Sequence, residues 1–293
     1  MHRFRSWTLD PPEWRTQRNR LLPIEGGDGS TLSLDFTSGV LDPRLTFSRT
    51  TNATFINSQG LVEWADANMI PYSEILSGTP WAANGLTNTD ATITNPIGGT
   101  NARLLSVTAS GGSKSLAAQM TVAVGFNYTM RVWVRAGVSS SMSVGYYLST
   151  FHQCTLTKVS GPGTISGSGS GTLYQTITGL STTEWTQIQL VVTPSTAGSG
   201  QWYIYPNTPT NAIGDTIYVW GFQVNIGSIA DPYYKTDADA YYAPRFDYDP
   251  ATLQPRGLLI EGSATNLVPY SNIQAAWAGG TNTTVTPNTT EVL

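Results

Sequence analysis

The sequence predicts an all-β protein: a β-sandwich inserted into a small β connector and preceded by an extended N-terminal arm. Three observations predict it. Short segments alternating polar and apolar residues recur through the middle of the chain, as in "FNYTMRVWVRAG", "EWTQIQLVVTP" and "DTIYVWGFQVNIG". Clusters of Gly, Ser, Thr and Asn separate them, and no segment carries a run of helix formers at the 3.6 period. The phrases flanking this block, "ATFINSQGLVEWADAN" and "RFDYDPATLQPRGLLIEG", each read as a strand, a turn and a strand. Chain ends that return to one place favour such an insertion.

Each element follows in order. Residues 1–23 hold Arg3, Arg5, Arg15, Arg18 and Arg20 with Trp7 and Trp14 around a Pro11-Pro12 break. They show no stable period, so they read as an extended anchoring arm. Residues 24–66 form the first half of the connector: "TLSLDF" and "RLTFSR" alternate faces, and two strands flank a Ser-Gln-Gly turn. Residues 67–236 are the sandwich. Within it Tyr128, Met130, Val132 and Val134 share one strand face, and Thr129, Arg131, Trp133 and Arg135 share the other. "SGPGTISGSGSGT" is a flexible loop or a pair of tight turns between strands. Residues 237–264 complete the connector as a hairpin. Residues 265–293 begin a second, incomplete sandwich repeat. Asn68, Pro71, Tyr72, Ser73, Ile75 and Trp81 recur in order as Asn266, Pro269, Tyr270, Ser271, Ile273 and Trp277. One or two strands cannot bury a face by themselves, so an array of units in series is expected.

Composition narrows the function. Charged residues make up 12% of the 293, about half the usual share. Between Leu104 and Ala230 only Lys114, Arg131, Arg135, Lys158, Glu184 and Asp215 are charged. The surface is therefore expected to be neutral and rich in hydroxyls. A net charge of −4 offers no general field for nucleic acid. The longest apolar runs fall short of the roughly 20 residues a spanning helix needs, so no membrane insertion is expected. The N-terminus lacks the apolar core of an export signal, which points to release with a particle on lysis. The lone Cys154 excludes an internal disulfide. Two histidines, no phosphate loop, no nucleophile elbow and no zinc spacing leave no catalytic residue, cofactor or metal to name. A glycosidase needs two carboxyls across a cleft, and between Leu104 and Ala230 the sandwich offers only Glu184 and Asp215. Asp247 and Asp249 in "DYDPAT" are two oxygen donors, but calcium takes six or more. A turn capped by an Asp side chain accounts for them better.

Taken together, "LDFTSGVLDPRLTFSRTTNATFINSQGLVE", the "N…PYS…W" sandwich ending "IYVWGFQVNIGSIADPYYKT", and "PRFDYDPATLQPRGLLIEGSATNL" resemble fibre proteins of tailed bacteriophages. The likeness is to the tail-fibre and head-spike group with jelly-roll, carbohydrate-binding-module-like domains, over roughly residues 32 to 293. It implies a virion protein assembled in the host cytoplasm, with a tail fibre favoured over a head fibre or capsid decoration. The partners it implies are other virion proteins, at the tail adaptor and portal region or the capsid, and host-surface glycans reached by distal parts. It also implies a homo-oligomer, most simply a trimer. The arm residues Arg3, Arg5, Trp7, Trp14, Arg15, Arg18 and Arg20 become the anchor to the particle. A reading from another class is the carbohydrate-binding module of a secreted enzyme.

Glycan-binding sandwiches set aromatic faces against sugar rings. The candidates are Trp133, Tyr146, Tyr147, Trp202, Tyr203, Tyr205 and Trp220. Trp202 and Ile204 share one face of their strand and Tyr203 and Tyr205 the other, so Tyr203 and Tyr205 are expected to form the exposed platform. Trp185 and Trp220 sit in apolar strand text and are expected to be structural. Leu61, Leu258 and Ile260, on the connector strands, are the expected oligomer contacts.

Overall fold

The structure is a computed structural model describing residues 2–4, 6–9, 32–157, 164–166, 171–173, 179–206 and 212–262. Every regular element in the described residues is a strand. The chain enters through β1 (His2–Phe4), β2 (Ser6–Leu9), β3 (Leu32–Asp35), β4 (Thr54–Ile56), β5 (Val62–Trp64) and β6 (Ala67–Asn68). The sandwich follows as β7 (Trp81–Asn84), β8 (Leu86–Asp90), β9 (Arg103–Val107), β10 (Ser115–Val122), β11 (Tyr128–Ala136) and β12 (Ser141–Tyr147). It continues through β13 (Phe151–Thr157), β14 (Thr164–Ser166), β15 (Gly171–Leu173), β16 (Thr186–Val192), β17 (Gly198–Tyr205) and β18 (Thr216–Ile226). The chain leaves through β19 (Tyr241–Tyr242), β20 (Phe246–Tyr248) and β21 (Pro255–Ile260).

Two six-stranded antiparallel sheets form the sandwich, in the orders β14-β13-β12-β17-β10-β7 and β15-β16-β11-β18-β9-β8. The chain crosses between them repeatedly, from β9 to β10, β11 and β12, and again from β16 to β17 and β18. This is the jelly-roll alternation that the resemblance implies. The expected division of β11 is what the structure shows. Tyr128, Met130, Val132 and Val134 enter the common core with Ile188, Leu190, Trp202, Ile204, Val219 and Phe222. Each such side chain contributes about 1.5–3 kcal/mol by leaving water.

A bulge sets the geometry of the second sheet. The pairing of β11 with β18 shifts between Arg131 and Trp133. Val219 and Phe222 both face the core, so Trp220 and Gly221 together occupy the opposite side. Gly221 has φ 67°, and a Cβ there would press on the Trp133 ring. Trp220 is structural, as expected, but it is buried on the outer face of its sheet. There it lies against Trp133 at 5.3 Å and Tyr233 at 4.8 Å. Trp185 stands just before β16 and donates its indole N–H to the Thr94 carbonyl at 2.8 Å.

Residues 228–237 run across that outer face as a strap, and the recurring "N…PYS…W" phrase fastens it. Asn68 Nδ2 donates to the carbonyls of Phe222 and Tyr234, at 3.2 and 2.8 Å, and its Oδ1 accepts the Ile70 N–H at 3.2 Å. Ser73 and Thr236 exchange backbone-to-hydroxyl bonds at 3.1 and 2.9 Å. Trp81 donates to the Pro71 carbonyl at 2.8 Å and meets Phe222 edge-on. Gln223 and Asn225, pointing outward from β18, bind strap carbonyls at Asp231, Pro232 and Ile229. The second copy of the phrase lies outside the described residues.

The connector's two halves share no strand pairing. β4 and β5 form a separate two-stranded hairpin, while β20 and β21 pair with each other and with β1. The two hairpins meet through side chains reaching backbone: Asp247 Oδ1 accepts the Ile56 N–H at 2.8 Å, and Arg245 Nη1 donates to the Thr54 carbonyl at 3.0 Å. The described residues of the arm are extended, as two short strands. β1 pairs with β21 and β2 with β3. Edge pairing uses backbone groups and needs no alternating side chains, which is why the period was silent. Arg5, Trp14, Arg15, Arg18 and Arg20 lie outside the described residues. Arg3 and Trp7 fall within β1 and β2.

Candidate functional site

The outer face of the first sheet is built by strand alternation. Because Trp202, Ile204, Met142, Val144 and Tyr146 point inward, their neighbours Gln201, Tyr203, Tyr205, Ser143, Gly145 and Tyr147 point outward. The register then aligns β13, β12, β17 and β10. Phe151 stands opposite Tyr147, Tyr147 opposite Gln201, and Gln201 opposite Gln119. These four side chains are all exposed and form one row across four strands. At the usual strand spacing the row is roughly 14 Å long. None of the outward residues on these four strands carries a charge.

The row has an aromatic end and an amide end. Tyr147 and Phe151, 39% and 41% exposed, lie 4.4 Å apart with their planes 32° from parallel. Gln201 and Gln119 supply donors and acceptors at the other end. Beside the row the face is polar and self-satisfied: Ser143 and Thr155 hydroxyls bond at 2.9 Å, and Gln153 Nε2 donates to Thr155 Oγ1 at 3.1 Å. Aromatic surface beside uncharged hydrogen-bonding groups suits a ligand that is itself neutral, hydroxylated and faced with C–H groups.

The expected platform is corrected by one row. Tyr203 is only 2% exposed. Its ring lies over Gly145, where any Cβ would collide with the phenol, and its hydroxyl donates to the His152 carbonyl at 3.5 Å. Phe151 and Tyr205 close over it at 5.9 and 4.6 Å. Burial, then the neighbouring Tyr205, pushes the Tyr203 hydroxyl far above its ordinary range. Tyr203 is therefore the floor that supports Phe151, and Tyr205 is half-buried beside it. Phe151, Gln201 and Gln119 escaped the sequence reading because only the register brings three separate strands together. The one available signal was the short span of "YLSTF", which sets Tyr147 and Phe151 opposite each other across a tight turn.

The other expectations resolve residue by residue. Trp133 lies beneath Tyr233 and Trp202 is in the core. Asp249 Oδ1 accepts the N–H groups of Ala251 and Thr252 at 3.0 Å, and Arg256 pairs with its carboxylate. Those backbone bonds first, with Arg256, hold its carboxyl down at about 2. It caps a turn, as the sequence suggested. Among the described residues, no group of three or more His, Cys, Asp or Glu is placed to hold a metal. Leu61 is 64% exposed and Ile260 is exposed too, but Leu258 is 4% exposed. It packs with Leu34 and Phe36 in the connector's own small core, so it is no contact between chains.

No family model and no curated protein matches the sequence. Solved structures similar to parts of the chain include an arabinose-bound GH51 α-L-arabinofuranosidase, at 14% identity and TM-score 0.36 over 60% of this chain and 27% of that one. The CBM22-1 xylan-binding domain from Paenibacillus barcinonensis is similar at 12% identity and TM-score 0.36, over 57% of this chain and 97% of the domain. The enzymatically active domain of tailspike protein 4 of bacteriophage CBA120 is similar at 12% identity and TM-score 0.35, over 55% of this chain and 21% of that one.

Proposed function

We propose that this chain is a non-catalytic glycan-binding module whose sandwich grips a neutral saccharide along the Phe151–Tyr147–Gln201–Gln119 row. The observation that carries the reading is the row itself: an exposed aromatic pair and two exposed amides, aligned by register on a face without charge. The ring pair covers the C–H face of a sugar, and the amides exchange hydrogen bonds with hydroxyls further along the chain. Affinity per site is expected to be weak and to gain from several copies acting together. A glycan array probed with the full chain tests it. Replacing both Tyr147 and Phe151 by Ala should weaken any neutral-glycan signal tenfold or more without unfolding the protein. An unchanged signal would return the row to ordinary surface.

The carrier we propose is a bacteriophage fibre, on the strength of the connector phrases and their resemblance. In that setting the arm holds the chain to the particle, and exposed Leu61 and Ile260 meet their counterparts in a homotrimer. Mass measurement of purified particles checks the carrier, since a secreted enzyme's module has no reason to be stoichiometric there. Sedimentation of the full chain checks the assembly, and a monomer would refute it.

A further inference from the structure

Where the connector meets the strap lies a cleft of about 600 Å³ that shares no residue with the sheet-face row. The connector builds most of its walls, and the strap adds Tyr234. Phe55 comes from β4, Glu63 from β5, Asp66 from the link into β6, Tyr234 from the strap, Tyr241 from β19 and Tyr248 from β20. Tyr234 and Tyr241 stack at 4.5 Å with planes 27° apart, which makes a stiff aromatic wall. The Tyr234 hydroxyl donates to Asp66 Oδ2 at 2.8 Å, so the other Asp66 oxygen keeps its accepting capacity. Glu63 is exposed, and its Oε2 accepts the Asn57 amide at 2.9 Å. Among the described residues, no lysine or arginine lines the cleft. After burial, the Asp66 charge helps raise the Tyr241 hydroxyl while Arg49 opposes it, and Asp66 and Glu63 help raise the Asp231 carboxyl while the Ala67 N–H and Arg131 oppose them.

We infer that this cleft is a second saccharide site, taking a pyranose unit that carries no acidic group. A tyrosine wall suits the apolar face of the ring. Carboxylate oxygens accept from ring hydroxyls or an amino group in charge-assisted bonds, which are about twice as strong as neutral ones. The two lining carboxylates repel uronates and phosphorylated or sulfated sugars, with Arg49 acting on Tyr241 only from outside the lining. An aromatic-lined concavity with a few converging polar groups is the usual form of such a site. Because the strap supplies Tyr234 and the connector the rest of the walls, the complete site needs the strap in place against the connector. A polysaccharide able to reach both sites would bind through both at once. The choice of saccharide rests on the proposed function; the location does not.

Calorimetric titration of the full chain separates the two sites. The probes are neutral glucose-, mannose- and galactose-based pentasaccharides, a chitosan pentasaccharide and a pentagalacturonate. The protein carries Tyr147→Ala with Phe151→Ala, which silences the sheet face. One equivalent of a neutral or amino-sugar probe should still bind. Asp66→Asn or Glu63→Gln should weaken it tenfold or more, Tyr241→Ala should abolish it, and pentagalacturonate should not bind. Glu63 is exposed, so its substitution leaves folding intact. No probe bound by the face variant, indifference to both carboxylate changes, or preference for pentagalacturonate would overturn the inference. If only the cleft variants lose binding in the otherwise native chain, the cleft stands and the sheet-face reading falls.

Discussion

The outer face of the second sheet is roofed by a strap of its own chain, whereas the outer face of the first stays open at its Phe151–Tyr147–Gln201–Gln119 row. Both sheets send the same kind of apolar side chain into the shared core, and both carry outward aromatics. The second sheet sets Trp133 and Trp220 under Tyr233, and places Arg131 over the Trp133 ring at 5.1 Å. The first leaves Tyr147 and Phe151 in solvent. An outward aromatic thus serves folding where a strap returns over it and is free for a ligand where none does. Removing a roofed ring should cost stability, and removing an open one should cost binding.

The largest effect is expected at Trp220. It is fully buried, and its indole N–H donates to Asn101 Oδ1 at 3.1 Å. Trp220→Ala should cost about 3–5 kcal/mol by leaving a void under the strap. Urea unfolding measures it, and a loss below about 1 kcal/mol would mean the strap is not a true roof. Next comes the fastening. Asn68→Ala strips partners from the Phe222 and Tyr234 carbonyls and the Ile70 N–H, so about 1–3 kcal/mol should be lost. Hydrogen exchange localises it: protection should fall first in 228–237 and not in β12 or β17.

A smaller effect is expected from pH. Asp231, on the strap, accepts the Ala67 N–H at 2.8 Å. Burial first, then the charges of Asp66 and Glu63, outweigh that bond and Arg131 and lift its carboxyl to about 7. The unfolded carboxyl titrates near 3.9. Between these values the folded chain binds more protons than the unfolded one, so this group's contribution falls as pH rises from about 4 to about 7. Asp231→Asn keeps an oxygen for the Ala67 N–H and should flatten that slope. Unfolding midpoints at pH 4.5 and 7.5 check it, and equal slopes in both proteins would assign the dependence elsewhere.

Alternation made the core legible in the sequence, because β11 exposes its two faces in nine residues. The roof was not legible. The strap "SIADPYYKT" has no period, and the bulge at Gly221 swaps the parity of β18 without marking the text. The row was half legible: Tyr147 stood among the candidates, but its partners sit on three other strands, and register across strands is a tertiary fact. Tyr203 and Tyr205 shared a face as expected. Their exposure depended on what lies above them, which alternation does not report.

The smallest effect on stability should come from the open row. Tyr147→Ala with Phe151→Ala removes two exposed rings that pack on each other and, through Phe151, on the edge of Tyr203, so the double variant should lose less than about 1 kcal/mol. Tyr203→Ala, one residue row away, is the internal control. It empties a buried site over Gly145 and should cost several times more, by the arithmetic of large-to-small change in a packed interior. Unfolding both variants in urea under the same conditions makes the comparison direct. If the double variant loses as much as Tyr203→Ala, the exposed rings are part of the packing after all, and the face is closed in the way its opposite is.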